Sequence, residues 1–150
     1  YESYEPSEVA VERLWRELSS ESWAQRGRAH QELLRRGGDL LKDANKKLLT
    51  TKPGDPAYPH LIWLAAKTGQ GSLHLLTLVD HPEAAVRVQA IRALTEFPEQ
   101  VREETMFTKR LVDADPLVQH AALLAHFLPK VAWDRAIQTT IVNGPACSKD

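Results

Sequence analysis

The sequence predicts an all-α chain: an α-solenoid of about four antiparallel helix pairs closed by a C-terminal helix. Three observations lead there. Apolar residues recur at three- and four-residue spacing in blocks of about ten to fifteen, the period of a helix with one buried face. Sustained period-2 alternation is lacking and β-branched residues are scattered, so strand signals are nearly absent. A short alanine-centred segment also recurs along the chain, inside helices that alternate long and short between brief polar turns.

The elements follow in order. Pro6 and Ser7 open a first helix from about Ser7 to Leu18, with Val11, Leu14, Trp15 and Leu18 on one face. Ser19, Ser20 and Ser22 offer caps for a second helix from about Glu21 to Arg36, stopped at Gly37-Gly38. Asp39 is the expected cap of a third helix carrying Leu40, Leu41, Ala44, Leu48 and Leu49. Thr50 to Pro59 holds three prolines and a glycine and reads as a loop. The fourth helix carries Leu61, Ile62, Leu64 and Ala65 and stops near Gly69. A short fifth helix from Ser72 carries Leu73, Leu75, Leu76 and Val79 and ends at Asp80-His81-Pro82. The sixth, Glu83 to Phe97, aligns Val86, Ala90, Ile91 and Leu94 and is stopped by Pro98. The seventh covers about Glu99 to Asp113. Pro116 starts the eighth, where its missing N–H costs nothing, and that helix runs to Leu128 before Pro129. Ala132 to Val142 reads as a terminal helix ended by Gly144-Pro145. The predicted repeats are therefore roughly 8–37, 39–69, 72–97 and 99–128, with the terminal helix at 132–142.

Three segments superimpose. Arg26 to Leu33 matches Arg87 to Leu94, 61 positions on, and Gln119 to His126 continues the series 32 positions later. A weaker member, Ala57 to Leu64, falls between them with His60 in the alanine position. The shared pattern is Leu-Val-Asp, a short turn with proline, then Val-Arg-x-x-Ala-x-x-x-Leu. Ala29, Ala90 and Ala122 let paired helices approach closely, and Leu33 and Leu94 fill the layer between repeats. Asp80 and Asp113 are placed to accept N–H groups at the start of the following helix. Arg26 and Arg87 are placed to bridge to a carboxylate or a helix-end carbonyl of the neighbouring repeat.

This pattern resembles the HEAT repeat over roughly residues 8–128, best at Leu78 to Leu94 and Leu111 to Phe127, and poorly at 39–69. Gln119 stands where that pattern has arginine, His126 where it has leucine, and Pro59 is expected to interrupt the second pair. A narrower likeness rests on Trp23-x-x-Arg26-x-x-Ala29-x-x-Glu32-Leu33-x-x-Arg36-Gly37 followed by His60-x-x-Trp63 and Gly69. It is similar to the helical segment of large planctomycete and verrucomicrobial membrane-bound dehydrogenase-like proteins that also carry a β-propeller and a c-type haem domain. The resemblance implies a middle segment of an exported, periplasmic multidomain protein, with haem and propeller residues outside these positions.

Catalytic chemistry finds little purchase in the residues. The six histidines (His30, His60, His74, His81, His120 and His126) include no pair at the i, i+4 spacing of a helical zinc site, and His74 and His81 are the nearest to a plausible pair. No Gly-x-Ser-x-Gly elbow occurs, and Gly69-Gln70-Gly71 is a turn not followed by Lys-Ser/Thr. Cys147 is the one cysteine, which excludes an internal disulfide, a four-cysteine zinc site and a Cys-x-x-Cys-His haem attachment within the chain. Trp15, Trp23 and Trp63 fall at or beside apolar stripes and read as core, and Trp133 as a cover for the end of the stack. The one locally basic stretch runs from Arg26 to Lys52.

The composition is that of a globular domain, 43% hydrophobic and 26% charged over 150 residues. Nineteen basic side chains against twenty acidic ones disfavour a dedicated nucleic-acid surface. No run reaches the ~18 apolar residues of a membrane span. A chain opening on Tyr1 and closing on Ser-Lys-Asp reads as a fragment of a larger protein. The expected function is a non-catalytic scaffold or interdomain spacer with no metal, cofactor or catalytic residue of its own. Its partner is another protein or neighbouring domains of the same chain. The competing expectation is an enzyme or nucleic-acid module on a HEAT-like scaffold, of the bilin lyase or alkyl-base DNA glycosylase type.

Overall fold

In a computed structural model, the described residues are 8–68, 72–96 and 104–126. Every regular element among them is helical: α1 (Val11–Glu17), α2 (Trp23–Arg36), α3 (Asp39–Thr50), α4 (Tyr58–Ala66), α5 (Ser72–Leu78), α6 (Ala84–Glu96), a 3₁₀ helix (Glu104–Val112) and α7 (116–126). The chain is thus all-α over this span. The expected terminal helix at 132–142, Trp133, Cys147 and the Gly69–Gly71 turn lie outside the described residues.

Adjacent helices pack as pairs, α1 on α2, α3 on α4 and α5 on α6. α4 is the hub, because it also touches α2, α5 and α6. Its sequence explains this: Tyr58, Leu61, Ile62, Leu64, Ala65 and Ala66 are all buried, six residues of nine, so the helix is apolar on most of its circumference and needs neighbours on several sides. α2 and α3, by contrast, bury a narrow stripe, Ala29 and Leu33 on one and Ala44 and Leu48 on the other. A single core runs from Val9 and Leu14 through Leu64, Leu75 and Ile91 to Phe107, Val118 and Ala125.

Several expectations about the ends need correction. α2 does stop at Gly37-Gly38, whose φ of 61° and 57° lies in the left-handed region open to glycine. Asp39, however, does not cap α3; Gly38 holds the cap position and Asp39 sits in the first turn, paired to Lys42 at 2.8 Å. There its charge suits the helix dipole. Pro59 does not interrupt the second pair. It occupies the first turn of α4, where no N–H partner is lost. The 39–69 pair, the poorest match to the repeat pattern, is closely packed for the same reason.

The seventh element winds as a 3₁₀ helix over Glu104–Val112 rather than as an α-helix. Three residues per turn bring Phe107, Arg110 and Asp113 into one line, whereas α-helical pitch would rotate each step by about 60°. Phe107 on that line is buried in the core, and Arg110 and Asp113 reach the charged groups of the preceding pair.

Candidate functional site

One joint recurs at the start of three second helices. In the turn before α2, the Ser20 hydroxyl accepts the Ser22 N–H at 3.1 Å, and the Arg26 guanidinium donates to the Ser20 and Glu21 carbonyls at 2.6 and 3.0 Å. Before α6, His81 Nδ1 accepts the Glu83 N–H at 3.1 Å, and Arg87 donates to the His81 and Pro82 carbonyls at 2.9 and 2.8 Å. Before α7, the Asp113 carboxylate accepts the Asp115 N–H at 3.0 Å, and the Gln119 amide donates to the Asp113 carbonyl at 2.6 Å. Each joint does two things. A side-chain acceptor closes the turn, and a long donor six residues on clamps the carbonyls that the turn leaves without partners. Ala29, Ala90 and Ala122, three residues beyond each clamp, are all fully buried, as are Leu33 and Leu94. His126, in the equivalent place on α7, is half-buried.

The joint shifts the expected register twice. Counting back from Arg87 and Gln119, Asp113 corresponds to His81 and not to Asp80. Burial agrees: Val79 is 2% exposed but Val112 is 83% exposed, so the two Leu-Val-Asp strings are not equivalent. Of the two expected acceptors, Asp113 does take an N–H at the start of the following helix, that of Asp115, whereas Asp80 pairs with Arg110 instead; Asp115 adds a second acceptor, taking the Leu117 N–H at 2.8 Å. In the 39–69 pair the Asp55 carboxylate accepts the Ala57 N–H at 2.8 Å, and the Leu61 N–H bonds the Ala57 carbonyl as Arg26 N–H bonds Ser22. Leu64, not His60, therefore holds the alanine place there, one helical turn later. Leu61 has no donor to clamp the turn, and the Ser19 hydroxyl of the first pair reaches Asp55 instead, at 2.9 Å.

Arg26 spends its donors on its own turn, not on the neighbouring repeat as expected. Arg87 does both, adding a 2.7 Å ion pair to Asp113 of the next pair. Arg110 joins Asp80 to Asp113, so four charges link α5–α6 to the segment that follows. The Arg87 guanidinium, the Asp115 N–H and Arg110 together hold Asp113 down to about 2. A second cluster has Glu32 buried on α2 between Arg35 and Arg36, which push its carboxyl to about 2. Arg36 also donates to the Val9 carbonyl at 2.7 Å, tying the end of α2 to the chain before α1.

The basic stretch does not converge. Arg35 and Arg36 are taken by Glu32, Lys42 by Asp39 and Lys46 by Asp43, while Lys47 lies 5.2 Å over the Trp15 ring. Trp63 is part of the packing, its indole N–H bonding Gln89 on α6 at 3.0 Å. Trp23 is not core: it is 78% exposed beside Gly27, Arg28 and Arg35 on the outer face of α2.

The histidine pair brought together is His30 and His60, with ring centroids 5.1 Å apart, rather than His74 and His81. No sequence signal marks the pair: the joints set α2 and α4 35 positions apart, so His30 and His60 do not hold equivalent places. Burial and then the His60 charge push His30 down to about 4; burial and then Arg26 lower His60. No group of three or more His, Cys, Asp or Glu side chains placed to hold a metal occurs among the described residues. Nor is any described helix long and apolar enough to cross a membrane. Compared with known proteins, the chain matches no family model, no curated protein and no solved structure.

Proposed function

We propose that this chain is a non-catalytic scaffold, an α-solenoid of the HEAT kind, that holds a protein partner or neighbouring domains of its own polypeptide. The recurrence of one joint at Ser20–Arg26, His81–Arg87 and Asp113–Gln119 carries the reading. A chain that repeats one fastening at successive helix pairs builds an elongated stack from nearest-neighbour contacts, and such stacks serve as binding surfaces and spacers. The use of charge supports it too. Arg87, Arg110, Asp80 and Asp113 are engaged with one another between layers, and Glu32 with two arginines on its own helix. The specific form we propose is the segment between a β-propeller and a c-type haem domain, on the strength of Arg26, Ala29, Glu32, Leu33, Arg36, Gly37, His60 and Trp63.

Titration of the chain with haem, with a bilin and with duplex DNA tests the class. A scaffold leaves each absorbance or anisotropy signal unchanged at stoichiometric protein. Tight one-to-one binding of haem or bilin, or saturable DNA binding, replaces it with the enzyme or nucleic-acid reading. Stack architecture has its own test. Arg26→Ala should raise amide exchange in α1 and α2 while leaving 84–96 protected, since each layer depends only on its neighbours; uniform loss of protection over the whole chain would contradict it.

A further inference from the structure

We propose that the His30–His60 contact is an acid-sensitive fastener between α2 and α4, which loosens the first helix pair from the rest of the molecule as the pH falls. His30 projects from α2 beside fully buried Ala29, and His60 from the first turn of α4 beside buried Leu61; the rings meet at an interplanar angle of 54°. His30 Nδ1 is buried with no hydrogen-bond partner among the described residues. A proton arriving there gains no acceptor and adds a charge to a desolvated site.

The surroundings are short of compensating carboxylates. On α2 the charge one turn before His30 is Arg26, anchored to the Ser20 and Glu21 carbonyls, and Arg28 lies between them in the chain. Glu32 of the same helix is engaged by Arg35 and Arg36. α4 contributes Tyr58 and His60 as its titratable groups and no acid. Asp55, before α4, is taken by the Ser19 hydroxyl and the Ala57 N–H. On α3, Asp39 and Asp43 are paired with Lys42 and Lys46, and on α1 Glu17 is paired with Arg13. Glu83, in the turn before α6, faces α4 at Tyr58 and acts on neither imidazole. Two imidazolium ions and Arg26 would thus crowd one seam.

The sign follows from linkage. An imidazole that titrates lower in the folded chain than its free value of 6.5 contributes nothing above that pH, and the unfolded chain takes up the proton preferentially below it. The seam therefore holds fully above pH 6.5 and weakens as the pH falls toward 4. Allowing for the exposed part of the ring, opening of α2 from α4 should rise about tenfold between pH 7.5 and 5.

The proposal rests on packing alone and stands whether or not the scaffold reading survives. NMR titration of the intact chain reads the imidazoles directly: His30 should titrate at least one unit below 6.5, and a normal midpoint for both rings overturns the proposal. Hydrogen exchange, corrected for intrinsic rates, should show α2 amides losing about tenfold protection from pH 7.5 to 5 while α6 amides hold theirs. His30→Gln and His60→Gln should each flatten that dependence; an unchanged dependence in both variants rejects the mechanism. The wild-type titration decides the matter if either variant fails to fold.

Discussion

Arg87 and Asp113 form a 2.7 Å ion pair in which the arginine side chain is 12% and the aspartate 3% exposed, joining α6 to the end of the following 3₁₀ helix. The same aspartate closes the next turn through the Asp115 N–H and receives Arg110. One carboxylate thus terminates one helix, starts another and anchors both to the preceding pair. A broken buried pair leaves an uncompensated charge. Asp113→Ala is therefore expected to cost about 2–4 kcal/mol in urea denaturation. Asp80→Ala, which removes the two-thirds exposed partner of Arg110, should cost about 0–1 kcal/mol. Equal effects would remove Asp113 from its central place.

Acid should act through the same group. Asp113 and Glu32 both titrate near 2 in the folded chain, below the ordinary 3.8 and 4.5. A depressed carboxylate stabilises above its unfolded value and ceases to as the pH falls through the folded one. Stability is therefore expected to decline between pH 4.5 and 2 from these carboxylates, a range that begins where the His30 window ends. Asp113→Asn should show a shallower decline over that range, measured as midpoint denaturant against pH.

Burial separates two leucines that look alike in the chain. Leu64 is fully buried on α4, whereas Leu49 is 61% exposed at the end of α3. Leu64→Ala should lose about 2–5 kcal/mol and Leu49→Ala less than about 0.5 kcal/mol, both by thermal or urea unfolding. Ala90, also fully buried, has no room for bulk; Ala90→Trp should lower the melting temperature sharply, through α5 and α6 together.

Two glycines should respond in opposite directions. Gly37 holds φ at 61°, so Gly37→Ala should destabilise by about 1 kcal/mol. Gly27 lies inside α2 with nothing within 4 Å of an added Cβ, so Gly27→Ala should stabilise by about 0.5–1 kcal/mol. Melting temperatures of the two variants moving in the same direction would contradict this assignment.

The helices themselves were legible because their signals are local. Spacing of Leu14 and Leu18, of Ala44 and Leu48, and of Val86, Ala90 and Leu94 is set by helical period, and Gly37-Gly38 by backbone sterics. The equivalence of Arg26, Arg87 and Gln119 was legible too, from the alanine-centred segments they open, though the clamp each makes onto its own turn was not. Register between successive helix pairs was not. The Leu-Val-Asp strings look identical, yet Val79 faces the core and Val112 solvent, because Asp80 stands seven positions before Arg87 whereas Asp113 stands six before Gln119.

By itself, then, the sequence determined the helical class, most helix stops and the equivalence of Arg26, Arg87 and Gln119, all of which depend on residues within one or two turns of each other. Tertiary structure alone decided that α4 is the hub, that Glu104–Val112 winds tightly to align Phe107, Arg110 and Asp113, that Trp23 stays in solvent and that His30 meets His60. Each of these depends on which surfaces of separate helices come together, and packing between them is settled by shape and charge that no stretch of chain carries alone.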